Sequence, residues 1–556
     1  MDVLKAIEYR QKLEKQQVNR KREPEHSKED LPEPKRRAVT SFVAWALLTS
    51  VKPKQATGTD WDAARQKELD GLNRLKTWVE EQPPPSTPVI PIVLNYTIKA
   101  DGRKKARAVV LGNLEQIDNE KNDFDCYSPV VSHITIRTML KKMATENLCC
   151  SGFDIENAFV TANLTKRVYC RLPPEWGGKT VRLIKALYGL RSAPRHYSDH
   201  FAAEIAAIGW TRSEHDPGLF VKIVGQSKYF LLAYVDDGLI LGPEQAKCDE
   251  LRSEILKIFK GRLLEVTKEN KTEKFEYLGL TITHDRANHI VHVSQKKATD
   301  RILKNFNMEK VKPAKTPIVK NIDPNGTPLQ PNQIPFNYRA VVGHLQFLSC
   351  FSRPDLTYSV KELSRHLEAP NQEAVDAAIR VFQYLKATST MGITFKKETK
   401  RMEDLQFQAF SDASFANEEN RKSCSGCLVT LGSSPIWWKS KTQNEIAIST
   451  CEAEYYALFV LVKELKSIRQ LYNFIWDFKP KFTVYVDNKS AIKLAKHSLV
   501  TNRTKHIDVR YHFLRSSVLS KEIEIKYIPS KENRADSLTK PTAASYFQNQ
   551  LGVGML

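Results

Sequence analysis

Apolar positions along this chain fall into short runs whose spacing changes several times between its two ends. From Trp61 to Glu81 they recur at helical intervals (Trp61, Ala64, Leu69, Leu72, Leu75, Trp78), and Pro83 to Pro85 close the run. That spacing predicts an amphipathic helix over 61–81. From Val89 to Gly112 the pattern shortens to strands around the turn Ala100-Asp101-Gly102. Alternating strands and helices follow to about residue 290. Residues 295–395 read as mostly helical, interrupted by the Pro- and Asn-rich stretch Pro313 to Pro335. A last α/β unit runs from about Leu405 to Lys540, with strands through Phe410 and Tyr485 and a long helix from Glu452 to Phe474. No internal repeat is evident.

Residues 1 to about 55 have no such pattern. They are rich in Lys, Arg, Glu and Gln, with Pro32 and Pro34 interrupting them, which predicts a solvated tail of low order. At 556 residues the rest is too long for one core. The 41% hydrophobic and 9% aromatic content belongs to a globular chain. Lysine and arginine exceed aspartate and glutamate by 85 to 64, and a surplus of +21 favours a polyanionic partner through counterion release. Nine scattered cysteines argue against a secreted disulfide framework. The best apolar stretch, Ser41 to Val51, is about half of the roughly 20 residues a bilayer span needs. No membrane partner is expected, and the chain is placed inside the cell. Two basic clusters, Arg20-Lys21-Arg22 and Lys35-Arg36-Arg37, read equally as a bipartite nuclear import signal or as a soluble tail.

Candidate chemistry begins at Phe230 to Leu241, FLLAYVDDGLIL, where Asp236 and Asp237 sit between apolar runs beside Gly238. Taken alone, Asp-Asp-Gly is an ordinary surface turn. A further acid, Asp154, follows an apolar strand in SGFDIENAFVTANL. Carboxylates flanked by apolar strands are costly unless paired or bound to metal, and carboxylate, water and phosphate oxygens suit Mg²⁺. Two such ions can activate a primer hydroxyl and stabilise a leaving pyrophosphate. Four more acids lie near strand or helix ends: Asp412 in AFSDAS, Glu454 in STCEAEYYAL, Asp487 in VYVDNKSAI and Asp536 in ENRADSLTK. Each alone is an ordinary surface acid. Cys424 and Cys427 have C-x-x-C spacing, but with no second pair nearby a packing role is expected.

Several of these segments together resemble reverse transcriptases of the copia type. They are the YVDD box from Tyr234 to Asp237, the D-x-x-x-A-F box at Asp154, and LYGLRSAPRHY from Leu187 to Tyr197. YLGL at Tyr277 to Leu280 looks like the strand that grips the primer terminus. The likeness extends through KKARAVVLGN, YSPVVSHITIRTML and FSRPDLTYSVKELSRHLEAP, and covers roughly residues 57–545. It implies an α+β multidomain fold: a right-hand polymerase (fingers, palm, thumb) followed by a ribonuclease H-like α/β domain. The implied divisions are a tail at 1–56, fingers and palm at 57–290, thumb and connection at 291–400, the ribonuclease H-like domain at 401–545, and a C-terminal tail at 546–556.

By the same resemblance, Asp154, Asp236 and Asp237 match polymerase metal ligands, and Tyr234 heads their box at the substrate. Phe159 matches the aromatic that selects deoxynucleotides, and Gly189 a glycine facing the template–primer. Lys99 and Arg107 resemble finger residues on the incoming triphosphate. Phe159 also reads as core packing, and the two cations as a solvated face. Asp412, Glu454, Asp487 and Asp536 resemble the metal-holding acids of ribonuclease H. Glu452 competes with Glu454, which is preferred because EYYAL continues as the family's helix does. IPSKENRAD lacks the histidine loop of many ribonucleases H, and His506 is a candidate deputy.

The implied activity is RNA-directed DNA polymerisation with RNA–DNA hybrid cleavage. It would use two Mg²⁺ ions per site, with Mn²⁺ as a substitute. The implied partners are RNA template, DNA primer, hybrid and deoxynucleoside triphosphates, together with integrase and capsid. The implied setting is a cytoplasmic retrotransposon particle, with the nucleus as the alternative. No aspartic-protease box or integrase zinc pattern is present, so a processed C-terminal product or a truncated genomic copy is expected. The rival reading is an idle or domesticated relic that only binds nucleic acid.

Overall fold

The computed structural model describes residues 50–51, 53–98, 102–115, 130–398, 407–418, 421–496, 508–543 and 551–554. Lys99, His506, both basic clusters and nearly all of the expected 1–56 tail lie outside the described residues.

The first helix, Thr59–Arg74, carries Asp60 and Asp62 in its first turn, where they complement the helix dipole, and buries Trp61 and Leu72. It ends earlier than the apolar spacing predicts. Lys76 takes a left-handed conformation (φ 52°), and the Thr77 hydroxyl donates to the Leu72 carbonyl at 2.6 Å. Trp78 then belongs to the strand Trp78–Glu80, which pairs antiparallel with Thr180–Lys185. Strand pairing has overridden a helical pattern.

The chain is α+β, with four sheets among the described residues. In the first, Val89–Ile98 pairs antiparallel with Lys104–Val110 and parallel with Asn163–Arg171. The second is wholly antiparallel, in the order Gly261–Leu263, Cys149–Ile155, Asp237–Gly242, Ser227–Tyr234, Leu219–Val224, Thr211–Arg212. Its central strands are continuously apolar because both faces are covered. Phe230, Leu232, Leu239 and Leu241 enter one core with Met139, Leu140 and Met143 of the helix His133–Glu146. Leu231 and Ile240 enter another with Cys248, Leu251 and Ile255 of the helix Gln245–Ile258.

The third sheet revises two of the expected divisions. It runs Val266–Glu269, Thr272–Tyr277, Leu280–Asp285, Ile290–Ser294, Gly392–Lys396, Val553–Gly554. A cut between 290 and 291 would therefore split a strand paired on both sides. Of the expected 546–556 tail, Leu551 and Val553 are buried, and Val553 pairs with Ile393. Between these strands lie four helices, Lys296–Asn305, Tyr338–Phe351, Thr357–Arg365 and Gln372–Ala387.

The fourth sheet has the order Ser434–Thr442, Cys424–Leu431, Phe407–Ser414, Phe482–Val486, Ile523–Tyr527. Its first three strands are antiparallel and the rest parallel, a ribonuclease H-like arrangement, with the helix Thr450–Trp476 packed against it. Cys424 and Cys427, three apart on one strand, point to opposite faces. Cys424 packs with Ile318 and Tyr358, and Cys427 joins the core under the long helix, so the pair cannot share a ligand.

One buried side chain ties three parts of this chain together. Arg137, on the helix His133–Glu146, is 5% exposed. Its Nε donates to the Ile436 carbonyl at 2.8 Å. Its Nη1 donates to the carbonyls of Cys350 and Phe351 at 2.8 and 3.1 Å. The guanidinium lies 4.0 Å from the centroid of the Trp438 ring. No carboxylate pairs with it among the described residues, and burial lowers its pKa to about 9.

Candidate functional site

The first group of acids sits on a hairpin. Strands Ser227–Tyr234 and Asp237–Gly242 pair with Tyr234 opposite Asp237, leaving Val235 and Asp236 as a two-residue turn. Val235 has φ 53°, an uncommon conformation for a β-branched residue, imposed here by the strands on both sides. Gly238 is required because a Cβ there would lie 2.2 Å from the Phe153 ring. On the next strand Asp154 stands opposite Asp237, and Arg262 stands opposite Asp154. Residues directly opposite share a face, so Tyr234, Asp237, Asp154 and Arg262 form one row across the sheet. The Asp236 carbonyl accepts from Ile155 N at 2.7 Å, which fixes the turn beside that row.

Crowding of like charges shows in the electrostatics. Burial, then the charges of Asp236 and Asp154, push Asp237 up to about 8, with Arg262 opposing. Asp236 is raised by burial and by Asp154, while Arg107 and Lys105 pull it back. Nη2 of Arg262 lies 3.0 Å from both oxygens of Asp154.

The second group converges more tightly. Asp412 lies within the strand Phe407–Ser414, Glu454 near the start of the helix Thr450–Trp476, and Asp487 just after the strand Phe482–Val486. One oxygen from each lies within 4.8 Å of the others, and no other such trio occurs among the described residues. Glu454 Oε1 accepts from Ala413 N at 3.2 Å, while its buried Oε2 has no hydrogen-bond partner among the described residues. Burial and the charges of Asp412 and Asp487 push Glu454 up to about 9. Asp412 rises to about 7, mainly through burial, although it accepts a hydrogen bond from the Thr539 hydroxyl. Asp536 is adjacent and pairs with Lys540. Two buried acids and a half-buried one, with an orphaned oxygen among them, are what a divalent ion would neutralise. Glu452 turns elsewhere: its Oε2 accepts from Ile448 N at 2.7 Å, capping the helix start.

Comparison with known proteins bears on the family of the chain. Residues 75–320 match the family "Reverse transcriptase (RNA-dependent DNA polymerase)". The retrovirus-related Pol polyprotein from transposon TNT 1-94 of Nicotiana tabacum is 32% identical over 505 residues, covering 87% of this chain and 37% of that protein. That from transposon RE2 of Arabidopsis thaliana is 32% identical over 529 residues, covering 91% and 35%. The chain carries the reverse transcriptase domain of copia-type Pol polyproteins. It spans about a third of the length of these relatives. A foamy viral protease-reverse transcriptase in complex with double-stranded DNA aligns at TM-score 0.44 and 14% identity, over 90% of this chain and 79% of that one.

Within the reverse transcriptase domain, the remaining candidates fall into place unevenly. Phe159 lies in the 3-10 turn Ala158–Thr161 and is half-buried. Its ring meets Tyr188 edge-on at 4.9 Å and Tyr197 at 5.9 Å. Arg107 lies over Tyr188, 5.3 Å from the ring centroid. Gly189 has φ 91°, and a Cβ there would be 2.1 Å from the Val110 carbonyl oxygen. The side a Cβ would occupy is thus filled by a neighbouring strand, a packing requirement that sequence reasoning did not anticipate. Lys105, Tyr188 and Tyr197 also border the site. The two tyrosines belong to LYGLRSAPRHY and were within reach of that motif. Arg262 carried no signal.

Proposed function

We propose that this chain is an RNA-directed DNA polymerase with ribonuclease H activity, which copies retrotransposon RNA into DNA and degrades the RNA of the hybrid. The observation that carries the reading is the presence in one chain of two separate groups of acids whose carboxyls are pushed up by burial and by one another. Asp154, Asp236 and Asp237 would hold Mg²⁺ at the first site. Asp412, Glu454, Asp487 and Asp536 would hold it at the second, with Mn²⁺ as a substitute at both. When bound, such ions supply neutralisation of the charge that develops on attacking and leaving oxygens. The chain's own groups do the rest. Arg107 and Lys105, which Asp236 already feels, offer positive charge to a triphosphate. Tyr234 shares the face of Asp237, and Phe159 with Tyr188 forms an aromatic wall for a sugar.

Template RNA, DNA primer, hybrid and deoxynucleoside triphosphates are the corresponding substrates, and the +21 charge supports polyanion binding. Integrase and capsid as partners, and a cytoplasmic particle as the setting, belong to the same reading. No helix among the described residues is long and apolar enough to cross a membrane. The deciding experiment is extension of an oligo-dT primer on poly-rA by the purified chain. Incorporation that requires a divalent ion and disappears with chelator is expected. No incorporation under any divalent condition would end the polymerase reading.

The sugar wall has its own test. Phe159→Val opens space beside Tyr188 and is expected to raise ribonucleotide relative to deoxynucleotide incorporation by at least roughly tenfold, since pocket contacts of this size are worth about 1–3 kcal/mol. Unchanged selectivity in competition assays would leave Phe159 a packing residue.

A further inference from the structure

We infer that Arg262 is a built-in competitor of the divalent cation, holding Asp154 as an ion pair that must open before the first site takes up metal; the inference rests on the polymerase reading above. The row across the second sheet carries two acids, Asp237 and Asp154, and ends in this single guanidinium. A hydrogen-bonded edge fixes its position. Leu264 N donates to the Gly152 carbonyl at 2.9 Å, and Glu156 N to the Lys260 carbonyl at 2.8 Å, one on each side of the short strand Gly261–Leu263. That strand can lie so close only because residue 261 is glycine. A Cβ there would be 2.5 Å from the Asp154 carbonyl oxygen.

The contact itself spans both carboxylate oxygens, each 3.0 Å from Nη2 of Arg262. A hard cation binds carboxylate oxygen directly, at about 2.0–2.1 Å for Mg²⁺. An oxygen already engaged by guanidinium, with a positive charge beside it, is a poorer ligand for a second cation. The Arg262 side chain is nevertheless half exposed, at 49%, so it can swing away from Asp154 without unpacking a core. Once released, its fork of donors suits a phosphate oxygen. Metal uptake at Asp154 is thereby coupled to arrival of a phosphate-bearing substrate that gives Arg262 another partner.

The test is Mn²⁺ binding to the full chain, read by electron paramagnetic resonance, with the second site silenced by Asp412→Asn and Glu454→Gln. In that background Arg262→Met is expected to tighten Mn²⁺ binding by roughly fivefold, the upper end for a half-exposed ion pair. Arg262→Lys, which keeps the charge but not the fork, should fall between the two. Adding saturating deoxynucleoside triphosphate should narrow the difference. Unchanged or weaker binding in a Met variant with unaltered thermal midpoint would overturn the competition and make Arg262 a support for Asp154. Asp154→Asn separates the two levels. If it removes no Mn²⁺ site in either background, the polymerase reading itself fails, and the competition with it.

Discussion

Asp236→Asn is expected to abolish divalent-dependent nucleotide incorporation, by at least about a thousandfold, while hybrid binding stays near normal. The substitution keeps shape and removes one charge. What holds the turn is the backbone carbonyl of residue 236, bonded to Ile155 N, and that bond survives the change. Burial and Asp154 already disfavour the ionised side chain in the folded state. A neutral amide should therefore leave the thermal midpoint unchanged or raise it. Loss of activity without loss of fold is the signature to look for. Near-normal incorporation by the folded variant would remove Asp236 from the site.

Glu454→Gln is expected to stop RNA cleavage in a hybrid while primer extension continues. Its carboxylate converges with those of Asp412 and Asp487, and one of its oxygens has no hydrogen-bond partner among the described residues. Removing one acid from a two-ion site disables it, because the attacking and leaving oxygens each need their ion. Here too stability should hold or rise, since folding pushes this carboxyl up to about 9 and the ionised form is the costly one near neutrality. Glu452→Gln is the matched control. It touches only the helix cap at Ile448 and should leave cleavage almost intact. Cleavage lost with Glu452→Gln instead would put the assignment two residues out, and cleavage lost with neither would misplace the site. A wild-type chain that extends primers yet never cleaves RNA would point to the absent histidine loop.

What could be read from residues alone follows from how local the cause is. FLLAYVDDGLIL shows its hairpin because both strands are buried on both faces, leaving the acids as its polar interruption. Adjacency alone could not show that Asp236 occupies the turn while Asp237 lies in the strand facing Asp154. The spacing of Leu75 and Trp78 carries the first helix too far, because its end depends on the left-handed Lys76 and on a strand partner about a hundred residues away. Helical context favours Glu454 over Glu452, and the geometry separates the two by where each side chain turns. Arg262 and Val553 had no local cue, since each matters only through a strand from a distant part of the chain.

Arg137 also sets an order in time. A ribosome makes the helix His133–Glu146 long before the carbonyls that receive its guanidinium, which lie 213, 214 and 299 residues further along. Until Ile436 and Trp438 have emerged, that cation must stay in water or be buried short of its partners, at a cost of a few kcal/mol. The helix His133–Glu146 therefore reaches its final packing only after Trp438 has been synthesised. A nascent chain would wait meanwhile with apolar surface uncovered, and such intervals are when chaperones are needed.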